Sequence, residues 1–167
     1  EMYELDPNQL ITYPQLSKFI NCDSFTAVYW EKLDRLEQDV STINTLYDVF
    51  TKKIQKAEKH ISLVFHRFLD DGLNIYVNNS LVEPLDPFLA KHPKTLIKPE
   101  QIINTKTKDM LNEKVKLQVF VLPYHKELSN EDYEKLGGND NIDNQGFYIY
   151  RNKRLMIYGT WFRIKPK

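Results

Sequence analysis

The sequence predicts an α+β fold: a mixed or antiparallel β-sheet with one long helix and shorter helices packed on one face. Three stretches carry that expectation. Leu46, Val49, Phe50, Ile54, Ala57, Ile61, Val64, Phe65 and Phe68 recur in steps of three and four, the apolar stripe of an amphipathic helix. Lys114–Leu122 alternates and then becomes continuously apolar, as a central strand does. Gly146–Trp161 reads as two aromatic-rich strands joined by a polar turn at Asn152-Lys153.

In chain order, Pro7 and Pro14 break up the first residues, and Pro14 suits the first turn of a short helix ending near Ile20. Ser24-Phe-Thr-Ala-Val-Tyr-Trp30 is aromatic and β-branched and reads as a strand. Ser and Thr within Asp39–Asn44 are good N-caps for the long helix. A helix over 46–69 would be about 36 Å long at 1.5 Å per residue. Asp70-Asp71-Gly72 ends it, with Gly72 suited to the left-handed position just past the last turn. Leu73–Val77 alternates as a strand, and Asn78-Asn79 can take the positive φ of a hairpin turn into Ser80–Glu83. Pro84, Pro87, Pro93 and Pro99 then mark a loop-rich stretch. Pro123 stops the central strand. Ser129 with Asp132 three residues on is close to a capping box. A polar loop over 137–145 leads into the final hairpin.

A chain of 167 residues fits one domain, or one domain with part of another, and can bury a core without disulfides. Its formal net charge is zero, so no global field draws it to nucleic acid or an anionic membrane. It has no apolar run of about 18 residues and no signal-peptide pattern. One cysteine, Cys22, cannot form an internal disulfide. These features together predict a cytoplasmic protein without a membrane anchor. The first residues, Glu1-Met-Tyr-Glu-Leu, carry no initiator methionine in front, as expected of a piece of a longer polypeptide.

No residue pattern spells a catalytic centre. His60 and His66 are six apart, which does not place two ligands on one helix face. His66 and Asp70, four apart, can pair with each other. Asp70 and Asp71 sit poorly at a helix C-terminus, whose dipole prefers cations, and read first as a solvated turn. Asp86-Pro-Phe reads as a turn. Gly137-Gly138 lacks the lysine and helix of a phosphate-binding loop, and no nucleophile elbow is present. The remaining candidate is the hairpin tip, where Arg151, Lys153 and Arg154 cluster. It reads either as a solvated turn or as a contact to nucleotide phosphate or to a nucleic-acid backbone, with neighbouring aromatics as stacking platforms.

Three segments together resemble one family. Ser24-Phe-Thr-Ala-Val-Tyr-Trp-Glu-Lys-Leu-Asp-Arg-Leu36 resembles the strand that closes the nucleotide-binding domain of Bergerat-fold (GHKL, histidine kinase-like) ATPases. That group includes gyrase, the MutL proteins, the heat-shock chaperones of this fold, and above all the bacterial relatives of the MORC proteins. Phe65–Leu69, Gly72–Asn78 and Glu83–Phe88 resemble the start of the transducer domain that follows, and Gly146–Leu155 its Tyr-Arg-Asn-x-Arg-Leu-Ile hairpin.

The resemblance implies that residues 1–40 are the incomplete end of an ATPase domain and 41–167 a transducer of ribosomal-protein-like fold. It implies ATP and Mg as cofactors of the full-length protein, with the catalytic glutamate and the magnesium-binding box outside this chain, and a DNA-associated homodimer clamp that closes with nucleotide. Thr26 matches a threonine that contacts adenine through water. Phe25 stands where the family usually has glycine, and Ile157 where eukaryotic MORC proteins place a phosphate-sensing lysine. Lys153 is a fallback for that lysine. The alternative to this reading is a free-standing interaction or nucleic-acid-binding module that uses the basic tip.

Overall fold

A computed structural model describes residues 13–19, 21–28, 30, 43–106, 112–138 and 145–164. The architecture is α+β, with antiparallel two-stranded sheets, one long helix and shorter ones. The chain divides into two units, Glu1–Lys56 with Tyr76–Leu81, and Ala57–Ile75 with Val82–Lys167.

In the first unit a 3₁₀ turn spans Pro14–Phe19, where the sequence predicts a short helix. Residues 24–28 and Trp30 form no strand, contrary to expectation, and no described residue pairs with them. Strand propensity reports how well a side chain fits a half-buried pleated surface, and the described residues supply no such sheet here. β1 (Tyr76–Val77) and β2 (Ser80–Leu81) form a minimal hairpin, turned by Asn78 and Asn79 at φ 46° and 69°. Phe19 meets Tyr76 edge-on at 5.1 Å and stacks on Phe25 at 5.6 Å.

The long helix α1 (Ile43–Val64) follows the predicted periodicity but begins at Ile43 and ends at Val64, where the sequence predicts a single helix over 46–69. The Asp39–Thr42 part of its expected cap lies outside the described residues. Phe65, at φ −106° and ψ 12°, interrupts the helix before α2 (His66–Asp70), although the Phe65 amide still donates to the Ile61 carbonyl at 3.0 Å. Gly72, at φ 99°, ends α2 in a Schellman arrangement: its amide donates to Leu69 and that of Leu73 to Phe68.

The rest of the second unit is built from hairpins. β3 (Leu96–Ile97) pairs with β6 (Phe120–Val121), and β4 (Gln101–Lys106) with β5 (Asn112–Leu117). The Lys98 amide bonds the Val119 carbonyl between the two pairs. The register slips by one residue across that junction, so the whole is one bulged antiparallel ribbon. The central strand expected over 114–122 is therefore one arm of a ribbon: Val115, Leu117, Val119 and Val121 all remain exposed. A continuous apolar run predicts burial on both faces only where sheets or helices cover them. α3 (Asn130–Lys135) starts at Ser129, whose hydroxyl accepts from the Asp132 amide at 3.0 Å, as its capping pattern predicts. β7 (Phe147–Arg151) and β8 (Arg154–Thr160) close the chain's described part with two register shifts, one next to Gly159 at φ 64°. Val64, Leu69, Val82, Leu136 and Leu155 form the buried apolar core of this unit.

Candidate functional site

A grouping of polar and charged side chains lies where α2 meets the β7–β8 hairpin. The break at Phe65 resets the helix so that His66 turns inward and is only 4% exposed. Its Nε2 lies 2.8 Å from the Tyr150 hydroxyl of β7. The Arg67 guanidinium sits 3.6 Å from the centroid of the same tyrosine ring, a cation–π contact. One turn on, Asp71 accepts from Lys153 at 2.6 Å.

The loop after β2 forms the facing wall. The Leu85 amide donates to the Ser62 carbonyl of α1 at 3.1 Å. Asp86 then accepts from the Phe88 amide with Oδ1 and from the Ala90 amide with Oδ2, at 2.9 and 2.7 Å. This local turn is the one the Asp-Pro-Phe sequence predicts, and it lays Phe88 against Phe120 with 4.3 Å between ring centroids. Tyr148 meets Phe88 edge-on at 4.9 Å. Lys91 reaches back to Asp70 at 2.8 Å. An open cleft of about 350 Å³ lies here, lined by both ion pairs, His66, Arg67, Asp86, Phe88 and Phe120.

Asp70 and Asp71 are exposed, as expected of a solvated turn, and each also carries an ion pair. Two carboxylates at the negative end of a helix are unfavourable alone, and Lys91 and Lys153 offset each of them in turn. Asp70 does not pair with His66; the histidine is committed to Tyr150. Three carboxylates (Asp70, Asp71, Asp86) and three cations (Arg67, Lys91, Lys153) line the cleft, so it carries no net charge to attract a polyanion.

Burial dominates the titration of the inner pair. It lowers the His66 pKa from 6.5, with Asp86 acting in the opposite sense and Arg67 in the same. It pushes the Tyr150 hydroxyl well above its usual value, so that group stays protonated. The hydrogen bond from Lys91 to Asp70 raises the lysine's pKa.

The residues singled out from sequence fall as follows. Arg151, Lys153 and Arg154 meet at the β7–β8 turn, with Arg151 directly opposite Arg154. Lys153 is engaged by Asp71, and Arg154 lies 5.5 Å from the Phe65 ring. Thr26 is exposed in the first unit. Among the described residues no group of three or more His, Cys, Asp or Glu side chains could hold a metal ion. His66, Arg67, Tyr150 and Asp86 carry the geometry, and no local spacing signals it, because His66 and Tyr150 are 84 residues apart.

No family model matches the chain, and neither the curated proteins nor the solved structures contain a match to it.

Proposed function

We propose that this chain is a transducer-type segment of a Bergerat-fold ATPase, coupling nucleotide state to closure of a dimer without hydrolysing ATP by itself. One observation carries the reading. Residues 24–28 and Trp30 have the composition of a sheet strand, yet they run without a paired strand among the described residues, with Val28 73% and Trp30 76% exposed. Large apolar side chains left exposed in a segment of strand composition fit a strand that completes a sheet belonging to a neighbouring domain. Thr26 shares the parity of Val28 and Trp30, the position the resemblance gives to the adenine contact.

Phosphoryl transfer requires a metal, a positioned water and phosphate donors in one place. This chain would contribute a lever: the end of the long helix, tied to the terminal hairpin through Tyr150 and Lys153. The nucleic-acid-binding alternative has less support, because Lys153 and Arg154 of the basic tip already have internal contacts.

The purified chain is expected to show no ATP turnover, and robust turnover by these residues alone would overturn the proposal. In the complete native polypeptide, ATP is expected to promote dimerisation, and Thr26→Ala to weaken nucleotide binding. Absence of ATP binding by that polypeptide would equally dispose of the reading.

A further inference from the structure

We propose that the His66–Tyr150 contact is an acid-released clasp: protonation gives the buried imidazole a second N–H that has no acceptor, the ring turns out toward water, and the hold of the helix end on the β7–β8 hairpin at Tyr150 is loosened. The geometry of the ring supports this independently of any ATPase role. Nε2 bonds the Tyr150 hydroxyl at 2.8 Å, while Nδ1 is buried with no hydrogen-bond partner among the described residues.

That asymmetry assigns the tautomer. Were the tyrosine hydroxyl the donor to Nε2, the imidazole proton would sit on Nδ1, and a buried N–H without an acceptor is the rarer and costlier orphan. The neutral ring therefore carries its proton on Nε2 and donates it to Tyr150, leaving a bare lone pair at Nδ1. Protonation places a second N–H at Nδ1, in a site without an acceptor.

The surroundings offer the imidazolium little compensation. On its own helix, Arg67 repels it, Asp70 is held by Lys91, and Asp71 is held by Lys153. In the loop after β2, Asp86 is the carboxylate that most favours the charged ring, but both its oxygens already accept backbone amides, from Phe88 and Ala90. From the hairpin, Tyr150 remains a neutral phenol, and Arg154 adds positive charge beside Phe65. The facing side chain of β6, Phe120, is uncharged. A charged ring gains more by turning toward water than by staying.

The sign follows from linkage. The folded-state pKa of His66 lies below 6.5, so between the two values the unfolded chain binds more protons than the folded one. The contact is fully present above pH 6.5 and is lost as the pH falls through the lower, folded value.

Ring-proton NMR over a pH series tests the clasp. The His66 and Tyr150 ring signals are expected to shift together with one midpoint below 6.5. His66→Gln keeps an N–H donor near the Nε2 position but cannot titrate, so its Tyr150 signals are expected to stay constant over the same range. A His66 midpoint at or above 6.5, or a Tyr150 acid shift that survives in H66Q, would overturn the proposal. Tyr150→Phe supplies a second variant: loss of the hydroxyl removes a bond to the neutral ring, and the His66 midpoint is expected to rise. An unchanged midpoint in Y150F would also count against the clasp.

Discussion

The β1–β2 and β7–β8 hairpins turn on nearly the same backbone. Asn78-Asn79 have φ 46° and 69°, and Asn152-Lys153 have 47° and 68°, the paired positive values of a type I′ turn. Yet the first hairpin pairs only two residues on each strand, with Tyr76, Ser80 and Leu81 exposed. The second extends over five and seven residues, buries Leu155 to 2% exposure, and is fastened at Tyr150 and Lys153. Turn chemistry sets where a hairpin reverses; what its strands bury sets how far it extends.

The sharpest way to break that contrast is at Gly146, the residue just before β7. A Cβ there would meet the Thr160 backbone at 2.6–2.7 Å, and φ is 144°. Gly146→Ala is expected to cost more than about 3 kcal/mol in urea denaturation, since the backbone must shift to admit it. Next comes the buried leucine. Leu155→Ala is expected to lose about 2–4 kcal/mol, and Leu81→Ala, at 43% exposure, well under about 1 kcal/mol. Equal losses would show that the two hairpins are anchored alike.

The smallest effect separates the turns from their anchors. Glycine takes the left-handed conformation freely, asparagine tolerates it, and lysine does so least readily. Lys153→Gly is expected to relieve up to about 1 kcal/mol of backbone cost and to lose at most about 1 kcal/mol of a half-exposed ion pair. Asn79→Gly changes the matching turn position without removing that ion pair. Thermal melts of both variants at low and high salt should show a salt-dependent difference in Lys153→Gly alone, because screening weakens the Lys153–Asp71 pair.

The elements whose signals are local were legible in the sequence. The helix stripe, Gly72 as its stop, the Ser129 cap, the Asp86 turn and both asparagine turns all depend on residues within a few positions of each other. What depends on covering surface was not. Residues 24–28 have strand composition without a paired strand among the described residues, and the 114–122 run reads as central although Val115, Leu117, Val119 and Val121 are exposed. The ribbon arm over 101–106, with Ile102 and Ile103, followed the proline-rich stretch and gave no separate signal. The basic tip was correctly placed at Asn152-Lys153, but sequence spacing could not show Asp71 neutralising Lys153 from 82 positions away. His66 drew attention through Asp70 four residues on, while its actual partner is distant along the chain.

The same disparity in separation orders the assembly of the second unit in time. The Asp86 carboxylate binds amides two and four residues ahead, a closure available to a short peptide. Joining His66 to Tyr150 closes a loop of 84 residues and carries a far greater entropic cost. We therefore expect the Phe88 turn and the terminal hairpin to form early, and the imidazole to find its phenol last. Stopped-flow refolding that monitored tyrosine environment alongside amide protection in β7 would test that sequence; a tyrosine phase faster than hairpin protection would reverse it.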